Sequence, residues 1–285
     1  MSKLERKAPA QPPAQYAVIG FPIAHSRSPF IHARFAHASG EHLEYGAISA
    51  RPEHFQAVVA RFQRAGGLGL NVTTPHKEAA RELARELSNR AEQAGAVNTL
   101  SWRGDHWFGD NTDGVGLVTD LSVNLGIRLK DADCLMLGAG GAAQGVARPL
   151  LEAGLGNLTI VNRTAERAHR LARSLADERV QGFGMDAIPD RRFDLVINAT
   201  AAALSGEALQ IPAGSIDAGS CCYDMMYGAE PTAFLRFARD AGCTNLSDGR
   251  GMLVEQAAES FFIWRGKRVS TAAVIAALSD LLEPA

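Results

Sequence analysis

Short apolar runs alternate with stretches of helical period along nearly the whole chain. Tyr16 to Ile19 reads as a strand ending at Gly20, and Pro29 opens a helix to about Ala38 with Ser28 as its N-cap. A second strand, Leu43 to Ile48, precedes a helix from Pro52 to Arg64 that places Phe55, Val58, Val59 and Phe62 on one side. Leu68 to Val72 predicts a strand and Ala79 to Leu87 a helix. Val97 to Trp102 and Trp107 to Phe108 predict a hairpin around Arg103-Gly104-Asp105. A helix from Val115 to Leu125 follows. The series then restarts with a strand at Cys134 to Leu137, a helix reaching Ala153, and strands at Leu158 to Val161, Phe193 to Ala199 and Ser220 to Asp224. A helix from Gly251 to Trp264 and an amphipathic one from Thr271 to Leu282 close the pattern. Strands alternating with helices predict an α/β fold with mainly parallel sheets. Residues 1–15, where Pro9, Pro12 and Pro13 interrupt charged residues, read as a disordered leader.

Composition narrows the class without naming a chemistry. The 285 residues suffice for one large or two medium domains, and 46% hydrophobic with 21% charged residues is ordinary for a globular protein. A net charge of −2 leaves no electrostatic footprint for nucleic acid or an anionic membrane surface. No apolar run approaches the roughly 18 residues that span a bilayer. No signal-peptide core opens the sequence, so a cytoplasmic protein is expected. Cys134, Cys221, Cys222 and Cys243 lack metal-ligand spacing; reduced thiols and no metal are expected.

Two stretches carry candidate chemistry. In Asn71-Val72-Thr73-Thr74-Pro75-His76-Lys77, Pro75 restricts Thr74 to extended geometry, so the strand stops by Thr74 and Lys77 falls in the first turn of a helix. A lysine there opposes the positive end of the helix dipole, where carboxylates are preferred. This placement suits a proton carrier as well as it suits a solvated surface charge. In the second stretch, Gly138-Ala139-Gly140-Gly141-Ala142-Ala143 lies between a strand and a helix and fits the G-x-G-x-x-G/A dinucleotide fingerprint. The next strand ends in Asn162-Arg163-Thr164, with Arg167 one turn on. Two guanidinium groups with no carboxylate suit a 2′-phosphate, so the expected cofactor is NADP. Met225, Met226 and Tyr227 follow a strand end, where open α/β sheets bind ligands. Gln256 shares a helix face with Met252 and Ser260.

Eight motifs in register resemble the shikimate dehydrogenase family from about Tyr16 onwards. They are Gly20 to Pro29, Asn71 to Lys77, Gly95 to Leu100, Gly109 to Asp113, the Gly138 loop, Asn162-Arg163-Thr164, Tyr223-Asp224-Met225, and Met252 to Ala258. The resemblance implies reversible, NADP-dependent reduction of 3-dehydroshikimate to shikimate, in a two-domain α/β protein with a Rossmann-type cofactor domain. The substrate domain would comprise 16–113 and 249–285, and the NADP domain 114–248. Lys77 and Asp113 would be the catalytic pair. Ser26 and Ser28 would hold the substrate carboxylate, with Thr73, Asn98, Asp113, Tyr227 and Gln256 around the ring. Gly138, Ala139, Gly140, Gly141, Ala142, Asn162, Arg163, Thr164, Arg167, Thr200, Met225 and Gly249 would hold NADP. A monomer or homodimer is expected. Ala33, Ala201 and the segment from Gly228 to Pro231 depart from the family pattern. They leave open a relative that prefers quinate or aminoshikimate, and a non-catalytic NADP-binding regulator is the alternative outside enzymes.

Overall fold

A computed structural model describes residues 12–200 and 211–282. The first sheet uses β1 (Ala14–Gly20), β2 (Leu43–Ser49), β3 (Gly67–Val72), β4 (Glu86–Leu87), β5 (Thr99–Trp102) and β6 (Trp107–Asp110), in the order β2-β1-β3-β5-β6-β4. It is parallel except at β5, which pairs antiparallel with both β3 and β6. The helices between these strands are α1 (Ser28–Ser39), α2 (Phe55–Arg64), α3 (Lys77–Leu83) and α4 (Asn89–Ala94).

After α5 (Asp113–Thr119), the second sheet contains β7 (Asp133–Leu137), β8 (Asn157–Asn162), β9 (Val180–Gly184), β10 (Leu195–Asn198), β11 (Cys221–Asp224) and β12 (Asn245–Asp248). Its order, β12-β11-β10-β7-β8-β9, is parallel throughout. This is the doubly wound order, with strand direction of travel reversing between β7 and β10. The helices α6 (Gly141–Glu152), α7 (Ala165–Leu175) and α8 (Ala233–Asp240) cover it, and α9 (Arg250–Arg265) and α10 (Ala272–Leu282) end the described chain. Among the described residues, no helix is long and apolar enough to cross a membrane.

Side-chain alternation explains why both faces of the second sheet are covered. Cys134 and Met136 of β7 point into a core with Val146, Leu150 and Leu171, whereas Leu135 and Leu137 join Phe193, Phe234 and Leu235 on the opposite face. The first sheet behaves similarly. Ala17, Ile19, Leu70 and Val72 pack with Phe55, Val59 and Ala80. A separate cluster joins Ile31 and Phe35 of α1 to Val254, Ala257 and Phe261 of α9 and to Val274 and Leu278 of α10. Helices α9 and α10 therefore pack on α1. Between the sheets, α5 lies against α9 so closely that a Cβ on Gly116 would sit 2.7 Å from Gln256 Cβ and 2.9 Å from the Met252 carbonyl oxygen.

Several sequence expectations shift. The leader prediction to residue 15 fails at its end, because Ala14 and Gln15 pair with Leu43 and Glu44; residues 1–11 lie outside the described residues. The helix expected to Leu87 stops at Leu83, and Arg85 donates its N–H to the Trp107 carbonyl as the chain turns into edge strand β4. The helix expected over Val115 to Leu125 begins at Asp113 and widens to a π turn at Asp120–Asn124.

Candidate active site

The chain leaves β3 through a turn fixed by backbone bonds: Thr73 N–H donates to the Ile19 carbonyl at 3.0 Å, and Phe21 N–H to that of Thr74 at 3.1 Å. The Thr74–Pro75 peptide is cis. His76 is buried, with Nε2 2.8 Å from the Ala50 carbonyl and its ring stacked on Phe55 at 4.7 Å. Lys77 is consequently the first residue of α3. Its Nζ donates to Asp113 Oδ2 at 2.5 Å, and the two side chains are 24% and 10% exposed. The pair spans two separate helix starts, α3 and α5, and is shielded from most solvent, so screening of its charges is weak.

Behind the pair lies a network of buried amides and hydroxyls. Asp113 Oδ1 accepts from Asn98 Nδ2 at 2.8 Å. Asn98 Oδ1 accepts from the Thr112 backbone N–H and the Thr99 hydroxyl, both at 2.9 Å. Thr99 meets the Ser260 hydroxyl at 2.8 Å, and Asn71 Nδ2 donates to Ser260 Oγ at 2.9 Å. The Tyr45 hydroxyl donates to Asn71 Oδ1 at 2.7 Å. Every amide here is held at both ends, which leaves Asn98 and Asp113 one orientation each. Beside it, His32 is fully buried, stacked on Tyr45 at 4.1 Å and next to the Asn71 side chain. Burial lowers its pKa from 6.5 to about 3.

A cleft of about 590 Å³ opens between the sheets and gathers most of the residues singled out from sequence. Ser26, Ser28, Thr73, Lys77, Asn98, Asp113 and Gln256 line one side, and Gly140, Gly141, Ala142, Thr200, Met225, Tyr227 and Gly249 the other. Ser28 is not the helix cap. Arg27 holds that position without a side-chain bond, Ser28 is the first helical residue, and Ser26 Oγ accepts the Ser28 N–H at 3.3 Å. Tyr227 is half-buried, and burial raises its pKa.

The glycine loop has room for a ligand. Gly138 holds φ +108°, a value reserved for glycine, and its Cβ would strike Thr200 Cγ2 at 2.8 Å. A Cβ on Gly140 or Gly141 would meet no protein atom within 4 Å, so the backbone at the start of α6 is open to close approach. An adjoining pocket of about 570 Å³ is lined by Ala139, Gly140 and Gly141 with Arg148, Arg167 and Arg170. Asn162 Oδ1 accepts from the Ala139 N–H at 3.3 Å, and Asn162 Nδ2 donates to the Thr164 carbonyl at 3.0 Å. Asn162, Arg163 and Thr164 thus sit at the loop's flank and not in the cleft itself. A dinucleotide whose phosphate lies toward Arg167 fits this shape and charge.

Sequence reading passed over Asn71, Thr112 and Tyr45 as site groups, and it noted Ser260 only as a neighbour of Gln256. An amide inside the apolar run from Leu68 to Val72 was the available signal for Asn71. Of the departures from the family pattern, Ala33 is on the exposed side of α1 and Ala229 to Pro231 are exposed, while Ala201 lies outside the described residues.

Three family models match the chain: "Shikimate dehydrogenase substrate binding domain" over residues 18–100, "Shikimate / quinate 5-dehydrogenase" over 121–205, and "Shikimate 5'-dehydrogenase C-terminal domain" over 249–278. A shikimate dehydrogenase (NADP(+)) of Methylobacillus flagellatus is 50% identical over 266 residues, covering 93% of this chain and 98% of the relative. The corresponding protein of Aromatoleum aromaticum is 52% identical over 273 residues, covering 94% and 98%. Among solved structures, an Ael1 enzyme from Pseudomonas putida superposes with a TM-score of 0.89 at 43% identity, covering 95% of this chain and 99% of that one. Shikimate 5-dehydrogenase from Thermus thermophilus, in complex with NADP(H) and shikimate, gives 0.83 at 33% identity, covering 94% and 100%.

Proposed function

The chain belongs to the shikimate dehydrogenase family, and from that premise we propose that it is an NADP-dependent shikimate dehydrogenase that reduces 3-dehydroshikimate reversibly to shikimate. The observation that carries the reading is the Lys77–Asp113 pair, set in a cleft whose facing wall is the glycine loop. NADPH supplies the hydride when bound. As the substrate carbonyl carbon is reduced, negative charge grows on its oxygen, and Lys77 Nζ delivers the proton; in the oxidative direction it takes the proton back. Asp113, fixed by Asn98, orients the lysine and accepts from a ring hydroxyl.

Ser26 and Ser28 bind the substrate carboxylate, and Thr73, Asn98, Tyr227 and Gln256 hold the ring. A site that hydrogen-bonds each hydroxyl discriminates strongly against analogues lacking one. Gly138 to Ala142 receive the pyrophosphate at the start of α6, and Asn162, Arg163, Thr164 and Arg167 surround the 2′-phosphate. Thr200, Met225 and Gly249 flank the nicotinamide. In this reading the substrate part is 16–113 with 249–285, the NADP part is 114–248, and the enzyme is a cytoplasmic monomer or homodimer.

The test is a steady-state matrix of shikimate, quinate and aminoshikimate against NADP and NAD. Shikimate with NADP gives the highest kcat/KM. A higher value for quinate reassigns the substrate, and no shikimate-dependent NADPH signal overturns the enzyme reading.

A further inference from the structure

The helix that begins with Asp113 ends beside a second buried aspartate. We infer that Asp120 is a positioning residue that holds the substrate side of the cleft in register with the cofactor side, an inference that rests on the shikimate dehydrogenase reading. Asp120 is 3% exposed and lies outside the lining of the cleft that holds Lys77 and Asp113. Its Oδ2 accepts from the Tyr223 hydroxyl at 2.7 Å, and its Oδ1 from Asn124 Nδ2 at 2.9 Å. The same Asn124 amide also donates to Glu255 Oε1 of α9 at 2.9 Å, and Asp120 Oδ1 lies against the backbone of Gly251 in the first turn of α9.

These contacts come from different parts of the molecule. Tyr223 is a fully buried residue of β11, the strand that runs on into Met225 and Tyr227 on the cofactor wall. Gly251 and Glu255 lie on α9, the helix that carries Gln256 on the substrate wall. Asp120 itself continues α5, whose first residue is Asp113. One carboxylate therefore ties together the element bearing Asp113, the element bearing Gln256 and the strand leading to Met225.

The approach is built into the backbone. An ideal Cβ on Gly251 would lie 1.9 Å from Asp120 Oδ1, so any other residue there would expel the carboxylate. A buried carboxylate is also an expensive way to fill space. No cation pairs with it among the described residues; the nearby Arg250 is taken up by Asp248 at 2.8 Å. Burial accordingly raises the Asp120 pKa, and Asp248 adds to the effect. What a carboxylate provides here, and an apolar side chain would not, is directed acceptor bonds to the Tyr223 hydroxyl of β11 and to the Asn124 amide that in turn reaches Glu255 of α9.

Tyr223→Phe removes one hydroxyl and keeps the ring; Asp120→Asn keeps the shape and replaces an acceptor with a donor. Both variants and their double are compared in the full-length chain with the wild type. Six readouts are taken: Tm, NADPH binding by fluorescence, shikimate KM, kcat, the primary isotope effect on kcat/KM with shikimate deuterated at the reacting carbon, and backbone amide exchange. The expected result for Tyr223→Phe is NADPH binding within about twofold of wild type, kcat lower by about tenfold and a larger isotope effect, as misalignment makes hydride transfer more limiting. The double variant loses little beyond the worse single one. Faster amide exchange at Met252 to Gln256 is expected in both single variants, and it reports the joint without turnover. An active wild type whose variants lose only Tm, with kcat, isotope effect and exchange unchanged, overturns the positioning role. A wild type with no shikimate-dependent turnover overturns the functional reading and this role with it.

Discussion

Lys77 and Asp113 reach one another from the first residues of two helices 36 positions apart in sequence. Removing the lysine leaves a partly buried carboxylate, but the rest of the cleft is untouched. Lys77→Ala should therefore lower kcat by roughly a hundred- to ten-thousandfold while shikimate KM moves little, as steady-state kinetics will read. An equal loss confined to KM would make Lys77 a binding group only. Arg163→Ala should weaken NADP and leave NAD nearly unchanged; equal losses in titrations with both cofactors would remove it from the 2′-phosphate pocket. His32 makes a different kind of prediction. Its pKa is lower folded (about 3) than unfolded (6.5), so the unfolded chain binds more protons between these values. The stability owed to its neutral form is fully present above pH 6.5 and is lost as pH falls toward 3. Urea unfolding across this range should show a shallower decline in His32→Phe than in wild type, since phenylalanine keeps the stack on Tyr45 without a proton to gain.

At the scale of elements, α5 is clasped between α6 and α9, and glycine makes that possible on the α9 side. Gly116→Ala would press a methyl group against Gln256 backbone nitrogen at 2.8 Å as well as the Met252 carbonyl, neither of which can rotate away. A cost of about 1–3 kcal/mol in a denaturant titration is expected, with a fall in kcat because Gln256 is displaced. The elements legible in the sequence were those with local causes. The strand, glycine turn and helix around Gly138 follow from backbone needs within a few residues, and so does the placement of Lys77 after Pro75. Ser28 was misread because a serine before proline satisfies the same local rule whether it caps or begins the helix. The early end of α3 was hidden because its cause, pairing of Glu86 and Leu87 with Phe108 and Gly109, lies about 20 residues away. The network from Tyr45 through Asn71, Thr99 and Ser260 was hidden for the same reason on a larger scale. Its members are ordinary polar residues until the fold puts them within 3 Å of one another.

For the whole molecule, the cleft between two sheets couples ligand binding to stability. Any ligand that binds only the folded chain stabilises it, by about 2.7 kcal/mol at a hundred times its Kd. NADP should raise Tm clearly more than an equal concentration of NAD, and shikimate should add to the NADP shift; differential scanning fluorimetry measures both. The first sheet has a further consequence, through the packing of α9 and α10 on α1. Among the described residues, much of the apolar packing of Ile31 and Phe35 comes from residues 254–278. During translation, then, Lys77, Asp113 and the glycine loop all emerge while Gln256 does not yet exist. At about 5–20 residues per second, the 143 residues from Asp113 to Gln256 take roughly 7–30 s to make. Throughout that interval the α1 face that packs on α9 and α10 lacks those partners. The second sheet is completed only with β12 (Asn245–Asp248), so both sides of the cleft reach their final packing late in synthesis.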